Sequence, residues 1–259
     1  MSTKTFPKRF VDKAYLIGLR CGDLSAHRRG KQIRATTGTT HPAMIKLFED
    51  IFSDCGRARC ISSRHMKRDE IPRPQYDWTL QCDLNHSFRF LVTKPQMVPI
   101  WILGDNECFL HFLAGYFDSE GTINITKHGV YLDLRMWLHS EDSRILKNIR
   151  DKLIELQYHP ILRVAQRKGE RKHRQDYLQL DIHKRNEVIS LLRSLPLKHE
   201  EKRKRRKLAL EIQDVKRWSK VEDKVMALRE AIQAEVKQCI QEAREDYEKR
   251  HSAKVSQAI

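Results

Sequence analysis

The chain has 259 residues, with 50 Lys and Arg against 34 Asp and Glu, a formal net charge of +16. Forty per cent hydrophobic residues are enough for one large core or two small ones, while the longest apolar runs, such as Met97–Leu103, are far too short for a membrane span. Such a charge calls for a polyanionic partner, and it is not a tail effect: residues 197–259 hold 17 basic and 12 acidic side chains, leaving 33 and 22 in the rest. On charge alone, a ribosomal or general RNA-binding protein fits equally well. The start of the chain lacks the apolar stretch of a secretory leader, and the six cysteines include no C-x-x-C pair, so reduced thiols and a cytoplasmic location are expected.

In chain order, residues 15–23 form an apolar helix-compatible run that ends in Asp23. Strand-compatible stretches follow at 25–29 and 31–37, then an amphipathic helix at 41–53 with Met44, Ile45, Leu47, Phe48, Ile51 and Phe52 on its apolar face. Further strands are predicted at 57–64 and 76–83, and a short helix at 87–92. A connector over 94–104 carries Pro95 and Pro99, which discourage regular structure.

The pattern then starts again. Tyr15-Leu-Ile-Gly18-Leu-Arg-Cys-Gly22-Asp23 and Phe112-Leu-Ala-Gly115-Tyr-Phe-Asp-Ser119-Glu120 are related by an offset of 97 residues, each with a glycine at the same place and an acid at the end. Strands are expected at 122–126 and 130–138; Leu132, Leu134, Met136 and Leu138 alternate with polar or aromatic residues in the second. A helix over 140–156 with Ser140 as N-cap, strands at 161–167 and 176–183 and a helix at 186–193 complete the copy. The fold class is therefore α+β, two pseudo-symmetric αββαββα halves, each with an antiparallel sheet: 1–95, a linker at 96–104, 105–196, and a basic helical extension at 197–259. In the extension, 198–217 reads as one charged helix. Val221, Val225, Leu228, Ile232 and Val236 form a narrow apolar stripe suited to docking on the body or to a coiled-coil dimer.

Packing the two apolar runs side by side through Gly18, Gly22, Ala114, Gly115 and Ser119 brings Asp23 and Glu120 together at helix C-termini. A carboxylate is disfavoured there, and two more so; a divalent cation relieves both penalties. The histidines form no H-x-x-x-H group and the glycines no phosphate loop, so nucleotide hydrolysis has no support.

The two runs resemble the motif pair of the LAGLIDADG homing endonucleases, over about residues 10–215. The second copy, Leu113-Ala-Gly-Tyr-Phe-Asp-Ser-Glu-Gly121, is the closer match; the first has Cys21 where an acid is common and Leu24 where glycine is. The resemblance implies a single-chain, monomeric, site-specific double-stranded DNA endonuclease that uses Mg2+ or Mn2+. It carries metal binding onto Asp23 and Glu120, with the carbonyls of Gly22 and Ser119 facing the metals. A basic residue near each scissile phosphate falls on Lys94 and on Lys202 or Lys198. It implies sheets that saddle DNA through outward side chains: Arg28, Lys31, Gln32, Arg34, Arg57, Arg59, Arg64, Arg135, Arg163, Arg167, Gln179 and His183. Arginine suits guanine and glutamine suits adenine. Tyr131, Trp137 and Tyr177 share the parity of these polar groups and are expected to shield the seam between the halves. The alternatives are an intron maturase that binds intron RNA and a non-catalytic DNA-binding regulator. The ends show no splicing-block residues, against an intein.

Overall fold

The computed structural model describes residues 5–6, 9–66, 75–169 and 175–256, without the side chains of 62–66, 75 and 247–256. The first half comprises α1 (Phe10–Cys21), β1 (Ser25–Arg29), β2 (Gln32–Thr39), α2 (Pro42–Phe52), β3 (Arg59–Met66), β4 (Gln75–Leu84) and a 3-10 turn, His86–Leu91. After α3 (Ile100–Leu103), the second half comprises α4 (Asn106–Glu120), β5 (Gly121–His128), β6 (Tyr131–Ser140), α5 (Ser143–Glu155), β7 (Ile161–Gln166), β8 (Tyr177–Ile182) and α6 (Arg185–Ser194). Helices α7 (Glu200–Glu211) and α8 (Glu222–Ser256) follow. No described helix is long and apolar enough to cross a membrane.

The two sheets have the same antiparallel order, β1-β2-β4-β3 and β5-β6-β8-β7. The inner strands β2, β4 and β6 follow the two-residue alternation, whereas β8 is buried continuously over Leu178–Ile182. Ile33 and Ala35 of β2, Leu80, Cys82 and Leu84 of β4, and Leu134, Met136 and Leu138 of β6 are buried beneath the helices. Their neighbours Arg34, Asp83, Arg135 and Trp137 occupy the opposite, open face.

Helices α1 and α4 form the axis of the molecule. A β-carbon on Gly18 would lie 2.1 Å from the Phe112 carbonyl oxygen, and one on Gly115 would lie 2.0 Å from that of Tyr15. The contacts are reciprocal: Gly18 also meets the Tyr116 nitrogen and Gly115 the Leu19 nitrogen. Backbone touches backbone from both sides, which only glycine permits.

Four sequence expectations are corrected. Ser140 closes β6 instead of capping the next helix; its hydroxyl accepts from Asp142 N at 3.0 Å, and α5 begins at Ser143. The proline-bearing connector does form a short helix, α3: Pro99 sits at the N-cap, outside the helical turn, where its missing N–H breaks no helical bond, and its carbonyl accepts from Ile102 N at 2.9 Å and Leu103 N at 3.2 Å. The charged helix after Pro196 stops at Glu211. Residues 215–218 instead run beside β6, with Leu132 N donating to Lys216 O at 2.8 Å and Trp218 N to Val130 O at 3.1 Å, and Trp218 is buried. Arg28 pairs with Ile33 and shares the face of Ala26, so parity turns it away from the open face; His27, opposite Arg34, lies there instead.

The apolar stripe of α8 docks on the body. Val221, Val225 and Ile232 are buried, and Leu228 packs against the core. Arg229 donates to the Ile125 carbonyl of β5 at 2.9 Å, and Tyr76 of β4 donates its hydroxyl to the Ala243 carbonyl at 3.3 Å, so α8 bridges the two halves. Val225→Asp places a charge in this seam and is expected to cost about 3 kcal/mol. Limited proteolysis should then cut within α8 while the sheets stay protected; an unchanged digestion pattern would mean that the stripe does not hold the helix.

Candidate active site

Below the glycine crossing the helix ends converge. A β-carbon on Gly22 would sit 2.3 Å from Ser119 Cβ and 3.3 Å from Glu120 Cγ, so the end of α1 lies against the residues that close α4. Asp23 and Glu120 therefore face one another across the pseudo-symmetry axis. Among the described residues, no hydrogen bond or ion pair reaches either carboxylate, though Glu120 feels the charge of Asp23. Burial and then the Asp23 charge push Glu120 up to about 7, against the pull of Lys202 and Lys94. Burial also raises Asp23, opposed by the same two lysines.

The lysines flank the pair differently. Lys94 is exposed and tied to Asp142 at 2.8 Å. Lys202, in the first turn of α7, is buried and donates to the carbonyls of Phe117 at 2.5 Å, Asp118 at 2.6 Å and Ser119 at 3.4 Å. A cation at the carbonyl end of α4 offsets the helix dipole that its acids aggravate. Burial pulls this amine down to about 8, against the attraction of Asp118 and Asp23. The Ser119 carbonyl, expected to face a metal, thus already has a lysine beside it. The Gly22 amide closes the last turn of α1 on Leu19 O at 3.1 Å. Lys198 is exposed, its ammonium 4.3 Å from the centre of the Tyr15 ring.

The groups that hold Lys202 in place were not singled out by sequence reasoning. Asp118 is fully buried; its Oδ2 accepts from the Tyr15 hydroxyl at 2.6 Å and from Lys198 N at 2.8 Å, while its Oδ1 has no partner. It binds the segment leading into α7 to the central helix pair. Burial raises its carboxyl despite those two hydrogen bonds. Its counterpart in the first copy, 97 residues earlier, is Cys21, a buried thiol pushed up to about 12 by burial and hence neutral. The signal was present in the motif itself, as an acid inside an otherwise apolar run. Beside it, Glu201 accepts from His41 Nε2 at 2.9 Å and from Arg205 at 2.7 Å; although burial opposes them, these contacts hold its carboxyl down to about 2. A cavity of about 400 Å³ opens here between Asp23, His41, Asn124 and Lys202.

The open faces hold most of the expected binding residues. Arg34 makes a two-pronged pair with Asp83 at 2.7 and 2.9 Å, and Arg29 and Arg59 reach the same carboxylate at 3.6 and 4.0 Å. Gln32, Lys31 and Arg57 are exposed at the ends of the same strands. The side chain of Arg64 lies outside the described residues. In the second sheet Arg135 pairs with Asp133 at 2.7 Å, and Arg163 donates to Gln179 at 3.1 Å, which leaves Gln179 buried. His183 and Arg167 are exposed just beyond β8 and β7. The aromatic rings stack within this sheet, not across the seam as expected: Trp137 and His139 have centroids 6.0 Å apart, and His139 and Tyr177 stack at 5.7 Å. Tyr131 is exposed at the β5–β6 turn.

No family model matches the chain, and no curated protein matches it. Its architecture is that of the LAGLIDADG homing endonucleases. The homing endonuclease I-WcaI, solved bound to its DNA recognition sequence, aligns over 74% of this chain and 82% of its own with a TM-score of 0.53 at 13% identity. Looser superpositions are found with I-DmoI in complex with DNA and Mn (TM-score 0.44, 16% identity, 73% of this chain and 98% of that one) and with the LAGLIDADG homing endonuclease I-GzeII in complex with a DNA target (0.44, 10%, 87% and 95%).

Proposed function

We propose that the chain is a site-specific double-stranded DNA endonuclease. The observation that carries this reading is the contact of Gly22 with Ser119 and Glu120, which joins two acids from different halves into one unpartnered pair between two basic open sheet faces. I-WcaI, on the same fold, was solved on its DNA recognition sequence.

The residues present fit a hard divalent cation, Mg2+ or Mn2+. Two carboxylates without a protein partner, in a site where their charges repel, match an ion that takes oxygen ligands and keeps waters. Asp23 and Glu120 would hold it; when bound, it polarises a phosphodiester and lowers the pKa of water. Lys202 and Lys94 keep two positive charges beside the acids, where negative charge accumulates as a phosphate is attacked. The arginines of the open faces hold the duplex by its phosphates and base edges, and Arg34 and Arg163 are preset by their acceptors.

The test is cleavage of a randomised duplex library with Mg2+. Discrete products support the reading, and tight binding without cutting would replace it with a regulator or a maturase. Metal dependence has a separate readout. In metal-free protein the Glu120 carboxyl is expected to titrate near pH 7 by carbon NMR, and to move down by more than one unit when Mg2+ is added. A midpoint that Mg2+ leaves in place would remove Glu120 from the metal site.

A further inference from the structure

A second basic surface lies on the other side of the first sheet. Helix α2 packs its buried residues Met44, Leu47 and Phe48 onto β2 and β4, so its outer side faces away from the open face. Between α2 and α7 runs a groove of about 480 Å³. Its walls carry Lys46, Lys198, Arg203, Lys204, Arg206 and Lys207 against only Asp50 and Glu200, and its floor is apolar, formed by Ala43, Leu47 and Leu210.

Some of these cations have structural partners. Lys46 pairs with Glu200 at 2.7 Å, Lys204 with Glu235, and Arg206 donates to Leu195 O at 2.8 Å. Arg203 and Lys207 are different: both are exposed and stand four residues apart on one helix face; no ion pair among the described residues holds either, and the acid whose charge Lys207 feels, Glu211, is itself paired with Lys224 at 2.5 Å. Like charges at that spacing repel and weaken a helix. Seven of the ten residues from Lys198 to Lys207 are basic, a repulsion that folding of this helix does not require.

We propose that this groove binds the sugar–phosphate backbone of a nucleic acid strand distinct from any duplex on the open faces. Arg203 and Lys207 are about 6 Å apart along the helix axis, within the stride of successive phosphates in an extended strand. The apolar floor suits the sugars and the cationic walls the phosphates. A duplex lying on the sheets cannot reach the groove, because the sheet and α2 stand between. The inference does not depend on whether the acid pair cuts DNA.

Polyuridylate and polythymidylate, each with excess unrelated duplex DNA to occupy the open faces, are the probes. Ultraviolet cross-links to α2 and α7 peptides are expected to survive the duplex. Arg203→Glu with Lys207→Glu is expected to weaken polymer binding about tenfold and to lower the salt slope by about two. Melting temperature and library cleavage should stay those of the wild type, which separates this inference from the nuclease reading. Tighter polyuridylate binding would identify RNA as the source, and tighter polythymidylate binding a DNA strand. Cross-links confined to strand peptides and removed by duplex, binding of neither polymer, or a double variant that binds as the wild type would each overturn the proposal.

Discussion

Glu120→Gln is expected to lower library cleavage on the order of a thousandfold or more while raising thermal stability. The change keeps shape and removes charge. Its effect on cutting follows from losing one of the two acids proposed to hold the cation, and with the cation its stabilisation of the charge that develops on the phosphate. The effect on stability follows from linkage. The folded carboxyl sits at about 7 against an ordinary value of 4.5, so the folded state binds the proton more tightly. This group favours folding most below pH 4.5, and that contribution is lost as pH rises towards 7, a swing of roughly 3 kcal/mol. In metal-free buffer above pH 7 the variant should therefore melt higher than the wild type; at pH 4 the gap should close. Parallel melting and cleavage assays decide it. A variant that cuts normally would remove Glu120 from the reaction, and one that melts lower at pH 8 would contradict the repulsion between Glu120 and Asp23.

Gly115→Ala is expected to be the most damaging single-methyl change in the chain. The added carbon would lie 2.0 Å from a backbone carbonyl oxygen, in a place where no side chain can swing away. The helices must separate, at a cost of about 3 kcal/mol or more, or roughly 6–12 °C in melting temperature. Cutting should fall further than folding, because separation also moves Asp23 from Glu120. Gly38→Ala is the control: nothing lies within 4 Å of its added carbon, and its melting temperature should scarcely change. Equal effects at the two positions would mean that the helix crossing does not set the geometry of the site.

What could be read in the sequence was what repeats and what alternates. The 97-residue offset gave the two helices, their glycines and their acids, because backbone contact leaves no residue choice at Gly18 and Gly115. Alternation placed β6. The errors arose where tertiary contacts outweigh local preference. Ser140 has the chemistry of an N-cap, but β6 extends through it. Residues 212–217 have helix-compatible composition, yet the chain turns at 212–214 and the start of β6 draws 215–218 alongside it, with a bridge between Tyr131 and Arg217. Lys202 could be placed near the site, but not its bonds to three carbonyls, nor its dependence on Asp118; both arise from α7 folding back over α4. The aromatic stack was assigned to the seam because parity defines a face and not a neighbour.

The shared carboxylate of Asp83 also bears on how such a molecule would search a genome. Three arginines converge on one acid, so a random stretch of phosphate meets less free positive charge than the sequence count suggests. Arg34 must trade two hydrogen bonds already made, and Arg29 and Arg59 the attraction of the same carboxylate. Loose encounters gain little and release quickly, which favours rapid sliding and hopping, whereas a site whose base edges satisfy the arginines and the acid together holds the protein long enough to be read.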